Sequence, residues 1–145
     1  MNQEDKDLLL KDLCARLPYE VKCNISRKND NCVKSHTIDS ILDCHWLSEC
    51  KSDFYEIKPY LFPLSSMTEE QTEEIHNLIY QGVSESVDET KEWLKTRKEN
   101  DLRPITLTYI LSDKLVIDWF CKNHFDYRDL IPKGLANDAT GLNIY

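Results

Sequence analysis

Thiols and imidazoles are the most reactive side chains here, and most of them crowd into one stretch: Cys23, Cys32, His36, Cys44, His45 and Cys50. Thiolates with imidazole can hold zinc in a tetrahedral site, and Cys32, His36, Cys44 and Cys50 would supply the four ligands. The intervals lack a C-x2-C knuckle, however, and Cys23 falls in the apolar phase of an alternating segment. Buried thiols acting as small apolar side chains are the favoured reading, with no metal or other cofactor expected. A second group, Cys121, His124 and Asp126, has the types of a nucleophile, a base and an orienting acid. Closeness in sequence does not aim three groups at one substrate, and the chain has no Gly-x-Ser-x-Gly elbow and only three glycines for a phosphate loop. Catalysis is not expected, and a small hydrolase or zinc-binding enzyme stands as the alternative.

Binding is the better prospect. The chain has 145 residues and a net charge of −8, so its bulk field repels nucleic acid and anionic lipid. Lys22, Arg27, Lys28 and Lys34 form only a weak basic patch, and neither nucleic acid nor membrane is an expected partner. The negative excess is concentrated: residues 68–101 carry −6, against −2 before them and 0 after. Glu69, Glu70, Glu73 and Glu74 sit at i, i+4 spacing, an acidic face that either keeps the chain soluble or meets a protein partner. One form of the second reading is an acidic inhibitor that imitates nucleic acid in a basic groove. Tyr127 and Arg128, in the aromatic segment 125–128, have a composition typical of partner-binding hot spots.

The elements that must position these groups are legible from periodicity. Leu9, Leu10, Leu13, Cys14 and Leu17 form a helical stripe over residues 2–17, with Asp12 and Arg16 expected on other faces, Asn2 as cap and Pro18 as stop. Tyr19, Val21, Cys23 and Ile25 then alternate with polar residues as a half-buried strand. Short strand-like pieces follow to Ile57, and Pro59 and Pro63 predict an edge segment or extended crossing over residues 58–64. Ser66-x-x-Glu69 and Thr68-x-x-Gln71 read as capping boxes opening a helix to about Gln81 with Ile75, Leu78 and Ile79 inward. A further helix is expected over 86–100, a strand over 105–111, and a helix after Ser112 burying Leu115, Val116, Trp119 and Phe120. Residues 125–145 read as irregular structure or a short helical turn.

The fold class predicted is α+β: an N-terminal helix, a small antiparallel sheet or partly open Src-homology-type barrel, then a C-terminal helical part. The chain reads as one domain, 1–145, with residues 1–67 as helix plus β subdomain and 68–145 mainly helical. The start of the chain lacks the pattern of a secretory signal and no apolar run approaches a membrane span, so a cytoplasmic setting is expected.

Several stretches carry a resemblance: residues 8–19 (LLLKDLCARLPY), 57–61 (IKPYL), 65–70 (SSMTEE), 118–128 (DWFCKNHFDYR) and 130–136 (LIPKGLA). In these the chain resembles a family of short proteins encoded by gut Bacteroidales and their phages or other mobile elements. The resemblance covers both ends of the chain and implies a bacterial or phage-encoded cytoplasmic protein, but brings no activity, ligand or catalytic residue with it. The function expected is that of a non-catalytic intracellular binding or accessory protein acting through protein–protein contacts.

Overall fold

The computed structural model describes residues 1–27, 33–38, 55–80, 88, 92 and 114–145. It divides into two compact units, Met1–Pro63 with His124–Tyr145, and Leu64–Asn123.

In the first unit, helix α1 spans Gln3–Arg16 and starts where expected: the Asn2 side chain accepts from the Asp5 N–H at 2.7 Å, with Glu4 and Asp5 in the first turn. Pro18 ends it in a 3-10 turn, Leu17–Tyr19, and Glu20 turns the chain with a left-handed φ of 53°. Three antiparallel strands follow, β1 (Val21–Arg27), β2 (Val33–Ile38) and β3 (Tyr55–Leu61). The alternation in β1 has the predicted phase: Val21, Cys23 and Ile25 are buried, and Lys22, Asn24 and Ser26 are half-buried. A two-residue strand β4, Asn137–Asp138, runs parallel to β3, so the sheet is mixed and ordered β2-β1-β3-β4. The class is α+β, with an N-terminal helix, a small sheet and later helices.

Pro59 lies inside β3, where an edge or a crossing was expected. Its missing N–H is tolerated because Cys23↔Pro59 is the last β1–β3 pair and β4 joins only from Tyr60, leaving one partner strand at that position among the described residues. Leu9 and Leu13 of α1 share a core with Val21, Cys23, Ile25, Ile38, Ile57 and Leu61. Leu130, Leu135 and Ala136 complete that core, so the 124–145 segment packs with the sheet. Phe62 donates to the His124 carbonyl at 2.9 Å and accepts from the Asp126 N–H at 2.8 Å, closing a one-residue parallel bridge to Phe125.

In the second unit, Thr68 and Gln71 form the predicted capping box: the Gln71 side chain accepts from the Thr68 N–H at 2.9 Å, and Thr68 Oγ1 accepts from the Gln71 N–H at 3.2 Å. Helix α2 (Glu69–Tyr80) buries Thr72, Ile75 and His76; Leu78 and Ile79 are half-buried. Helix α3 (Lys114–Lys122) buries Val116, Phe120 and Cys121, while Trp119 is half-buried and Leu115, expected inside, is 60% exposed. The helix expected over 86–100 and the strand over 105–111 lie outside the described residues, apart from Asp88 and Glu92, which are helical.

Candidate functional site

The outward face of α2 is acidic. Glu69, Glu70, Glu73 and Glu74 are all exposed, set a turn apart opposite the buried Thr72, Ile75 and His76. Glu74 is committed within the unit, accepting from Trp119 Nε1 at 3.1 Å. Glu69, Glu70 and Glu73 share the exposed side of α2 with Glu74.

Tyr127 and Arg128 are placed very differently. Tyr127 is buried, and Arg128 lies half-buried against it, its Nε donating to the Tyr127 hydroxyl at 2.9 Å and its guanidinium 4.7 Å from the ring centre. Asp12 and Arg16, expected on exposed faces of α1, are both fully buried in the same place. Arg16 donates to both Asp12 oxygens, at 2.6 and 3.2 Å, and to the Phe125 carbonyl at 2.7 Å. Arg128 Nε stands 3.3 Å from Asp12 Oδ1, and the Arg16 guanidinium stacks 5.5 Å from the Tyr127 ring. One carboxylate is thus shared by two guanidiniums with a tyrosine beside them, an arrangement that fixes α1 against the 125–128 segment. Such pairs tolerate burial because both charges stay hydrogen-bonded.

Of the hydrolase candidates, Cys121 belongs to the second unit and His124 and Asp126 to the first. Asp126 uses both oxygens as acceptors for the backbone N–H groups of Leu130 and Ile131, each at 2.8 Å, and so caps the turn that follows it. Cys121 is buried on α3. Among the zinc candidates, His36 faces Cys23 across the β1–β2 ladder, half-buried, and Cys32, Cys44 and Cys50 lie outside the described residues, as does His45. No three His, Cys, Asp or Glu side chains among the described residues are grouped to hold a metal ion. Of the basic patch, Lys34 is exposed, Lys28 lies outside the described residues, and Lys22 turns its amine onto the Ile144 carbonyl.

Lys22 belongs to a cluster that no sequence signal indicated. The Tyr145 ring stacks on the His124 ring at 3.7 Å and 13°, with Phe62 tilted against it at 5.9 Å and the Lys22 ammonium 5.7 Å from its centre. Its hydroxyl accepts from the Lys22 N–H at 3.1 Å and donates to the Tyr60 carbonyl at 2.8 Å. Burial, with the positive charges of Arg16 and Lys22, holds the His124 imidazole down at about 4, so it is neutral at pH 7. Burial likewise pushes the Tyr145 phenol up to about 12, against the lowering effects of the Lys22 N–H bond and Arg16. Its members come from β1, β3, the His124 turn and residue 145, which meet only in the fold.

Among the described residues, no helix is long and apolar enough to cross a membrane. No family model matches the chain, and neither curated proteins nor solved structures yield a match.

Proposed function

We propose that the chain is a non-catalytic cytoplasmic accessory protein of bacterial or phage origin that acts by binding a protein partner through the outer face of α2. The observation that carries this reading is the exposure of Glu69, Glu70 and Glu73 on one side of a helix whose other side is buried. Three carboxylates on a rigid, capped helix favour a partner with a basic surface, by speeding encounter and fixing orientation more than by adding affinity. The same reading is supported by Asp126, whose carboxylate accepts from two backbone N–H groups, and by the burial of Cys121. Resemblance to short Bacteroidales and phage proteins supports the setting.

The test is affinity capture from a lysate of the native host, with the native chain and an E69K/E70K/E73K variant as parallel baits. Glu74 is left in place to preserve its bond to Trp119. The expected result is one protein retained by the native chain, released as salt rises and absent from the variant, whose circular dichroism is unchanged. Equal capture by both baits would remove the acidic face from the mechanism.

A further inference from the structure

The register of the sheet puts Tyr145 in an unusual position. β1 and β3 pair from Arg27↔Tyr55 to Cys23↔Pro59, and the next pair would be Lys22 with Tyr60. There the ladder opens, and the Tyr145 hydroxyl stands between the strands, accepting from the Lys22 N–H and donating to the Tyr60 carbonyl. One phenol thereby bridges a backbone donor of β1 and a backbone acceptor of β3 just beyond the last pair of their ladder. Its ring rests on His124, whose Nδ1 is buried with no hydrogen-bond partner among the described residues, and leans on Phe62.

The segment that delivers this ring is lightly held. Upstream, Ala139 is buried and its N–H bonds to the Leu61 carbonyl at 2.8 Å. Beyond it, Gly141 turns the chain at a φ of +75° and Leu142 is 47% exposed. The Leu142 N–H bonds back to the Ala139 carbonyl at 3.0 Å and the Ile144 N–H to the Leu142 carbonyl at 2.9 Å. Among the described residues the segment's ties to the rest of the unit are the Lys22 amine on the Ile144 carbonyl, the two bonds of the Tyr145 hydroxyl and the contacts of the Tyr145 ring with His124, Phe62 and Lys22, and Tyr145 itself is 40% exposed. A segment with little apolar burial and few cross-element bonds opens locally, without unfolding the core.

We propose that the gap between Lys22 and Tyr60, lined by His124 and Phe62, is a binding site for a phenol ring, which the chain fills with its own Tyr145 and vacates when residues 141–145 lift. The recognition elements are the paired backbone donor and acceptor for the hydroxyl and the flat neutral imidazole for the ring. The ligand is a phenol, either the side chain of a tyrosine in a partner or a free phenolic compound. The site lies in the unit that does not contain α2, and so stands or falls separately from the acidic face.

The experiment is an NMR titration of the Y145A variant of the whole 145-residue chain with p-cresol, toluene and N-acetyl-tyrosinamide. p-Cresol is expected to bind saturably, shifting the Lys22 amide and the His124 ring, and to bind roughly ten-fold more tightly than toluene because only it bridges the two backbone groups. Native chain, already filled, is expected to respond only at much higher p-cresol. In Y145A the His124 pKa rises toward its ordinary value, and p-cresol lowers it again. N-acetyl-tyrosinamide binding more tightly than p-cresol identifies a peptide tyrosine as the ligand; the reverse order identifies a free phenol. Toluene binding as well as p-cresol, or no shift at Lys22 and His124, overturns the proposal. Hydrogen exchange on the native chain tests the opening independently of any variant. The Lys22 amide must exchange at least about ten-fold faster than amides at the centre of β1, and with little dependence on urea. Exchange of Lys22 only by global unfolding overturns the proposal as well.

Discussion

Arg16→Met tests whether the buried charge cluster holds the first unit together. The substitution removes the guanidinium's bonds to Asp12 and to the Phe125 carbonyl and keeps most of the side-chain volume. Removing one partner of a buried ion pair costs about 3–5 kcal/mol, because the other charge stays buried without compensation. Here Asp12 retains Arg128 at 3.3 Å, which places R16M at the lower end, about 3 kcal/mol. Asp12→Asn leaves two guanidiniums facing each other without their carboxylate and belongs at the upper end, about 5 kcal/mol. In D12N/R16M the Asp12–Arg16 pair is gone, and the remaining deficit is the Phe125 carbonyl, worth about 1–3 kcal/mol, together with the half-buried Arg128 guanidinium, which keeps the Tyr127 hydroxyl but loses its carboxylate. The double variant is therefore far more stable than the sum of the single changes implies. Urea unfolding should be followed by amide exchange at Cys23, Ile25 and Ile57, which lie in this core and report on it directly. R16M within about 1 kcal/mol of the native chain, or a double variant as costly as the summed singles, would refute the reasoning.

Acid should weaken the fold through His124: its folded pKa, about 4, lies below the unfolded 6.5, so the unfolded chain takes up the proton first as pH falls. Its contribution is whole above pH 6.5 and gone below 4, about 2 kcal/mol after allowing for the partly open ring, and stability curves for H124N should lack this component between those limits. Thr68→Ala removes one bond of the capping box and is expected to cost about 1 kcal/mol, read as a lower urea midpoint for the second unit alone. Asp126→Ala strips the acceptors from two N–H groups, of buried Leu130 and half-buried Ile131, and should cost about 2–3 kcal/mol by urea unfolding; a loss below about 0.5 kcal/mol would show that these bonds do not anchor the turn.

Local signals were legible where a residue's neighbours in sequence are also its neighbours in space. The Asn2 cap, the Thr68–Gln71 box and the alternation in β1 are all decided within four residues, and the structure shows each one. Asp12 and Arg16 illustrate the limit. With Leu9 and Leu13 they complete an i, i+3, i+4, i+7 stripe that faces inward, but a search for apolar residues assigns charged ones to solvent. What makes their burial tolerable is Arg128 and the Phe125 carbonyl, the latter 109 positions from Arg16, and no local pattern encodes such a contact. The same separation hid the Tyr145 cluster and the two-residue β4. Composition singled out Tyr127 and Arg128 as partner-binding candidates, and the structure places both beside the charge cluster; composition does not distinguish an aromatic–arginine pair turned inward from one offered to a partner.

The bridge at Phe62 has a consequence for how this protein can be built and altered. Because Phe62 and His124 are hydrogen-bonded neighbours, the whole of Leu64–Asn123 leaves and re-enters the first unit through one narrow seam. The entropy of closing a loop grows only slowly with its length, so bringing those two residues together costs little more across a long insert than across a short one. The seam is a splice point to test: a short turn in place of residues 64–123 keeps every residue of the sheet, the charge cluster and the Tyr145 site, and a foreign domain whose termini lie close together could be carried in the same position.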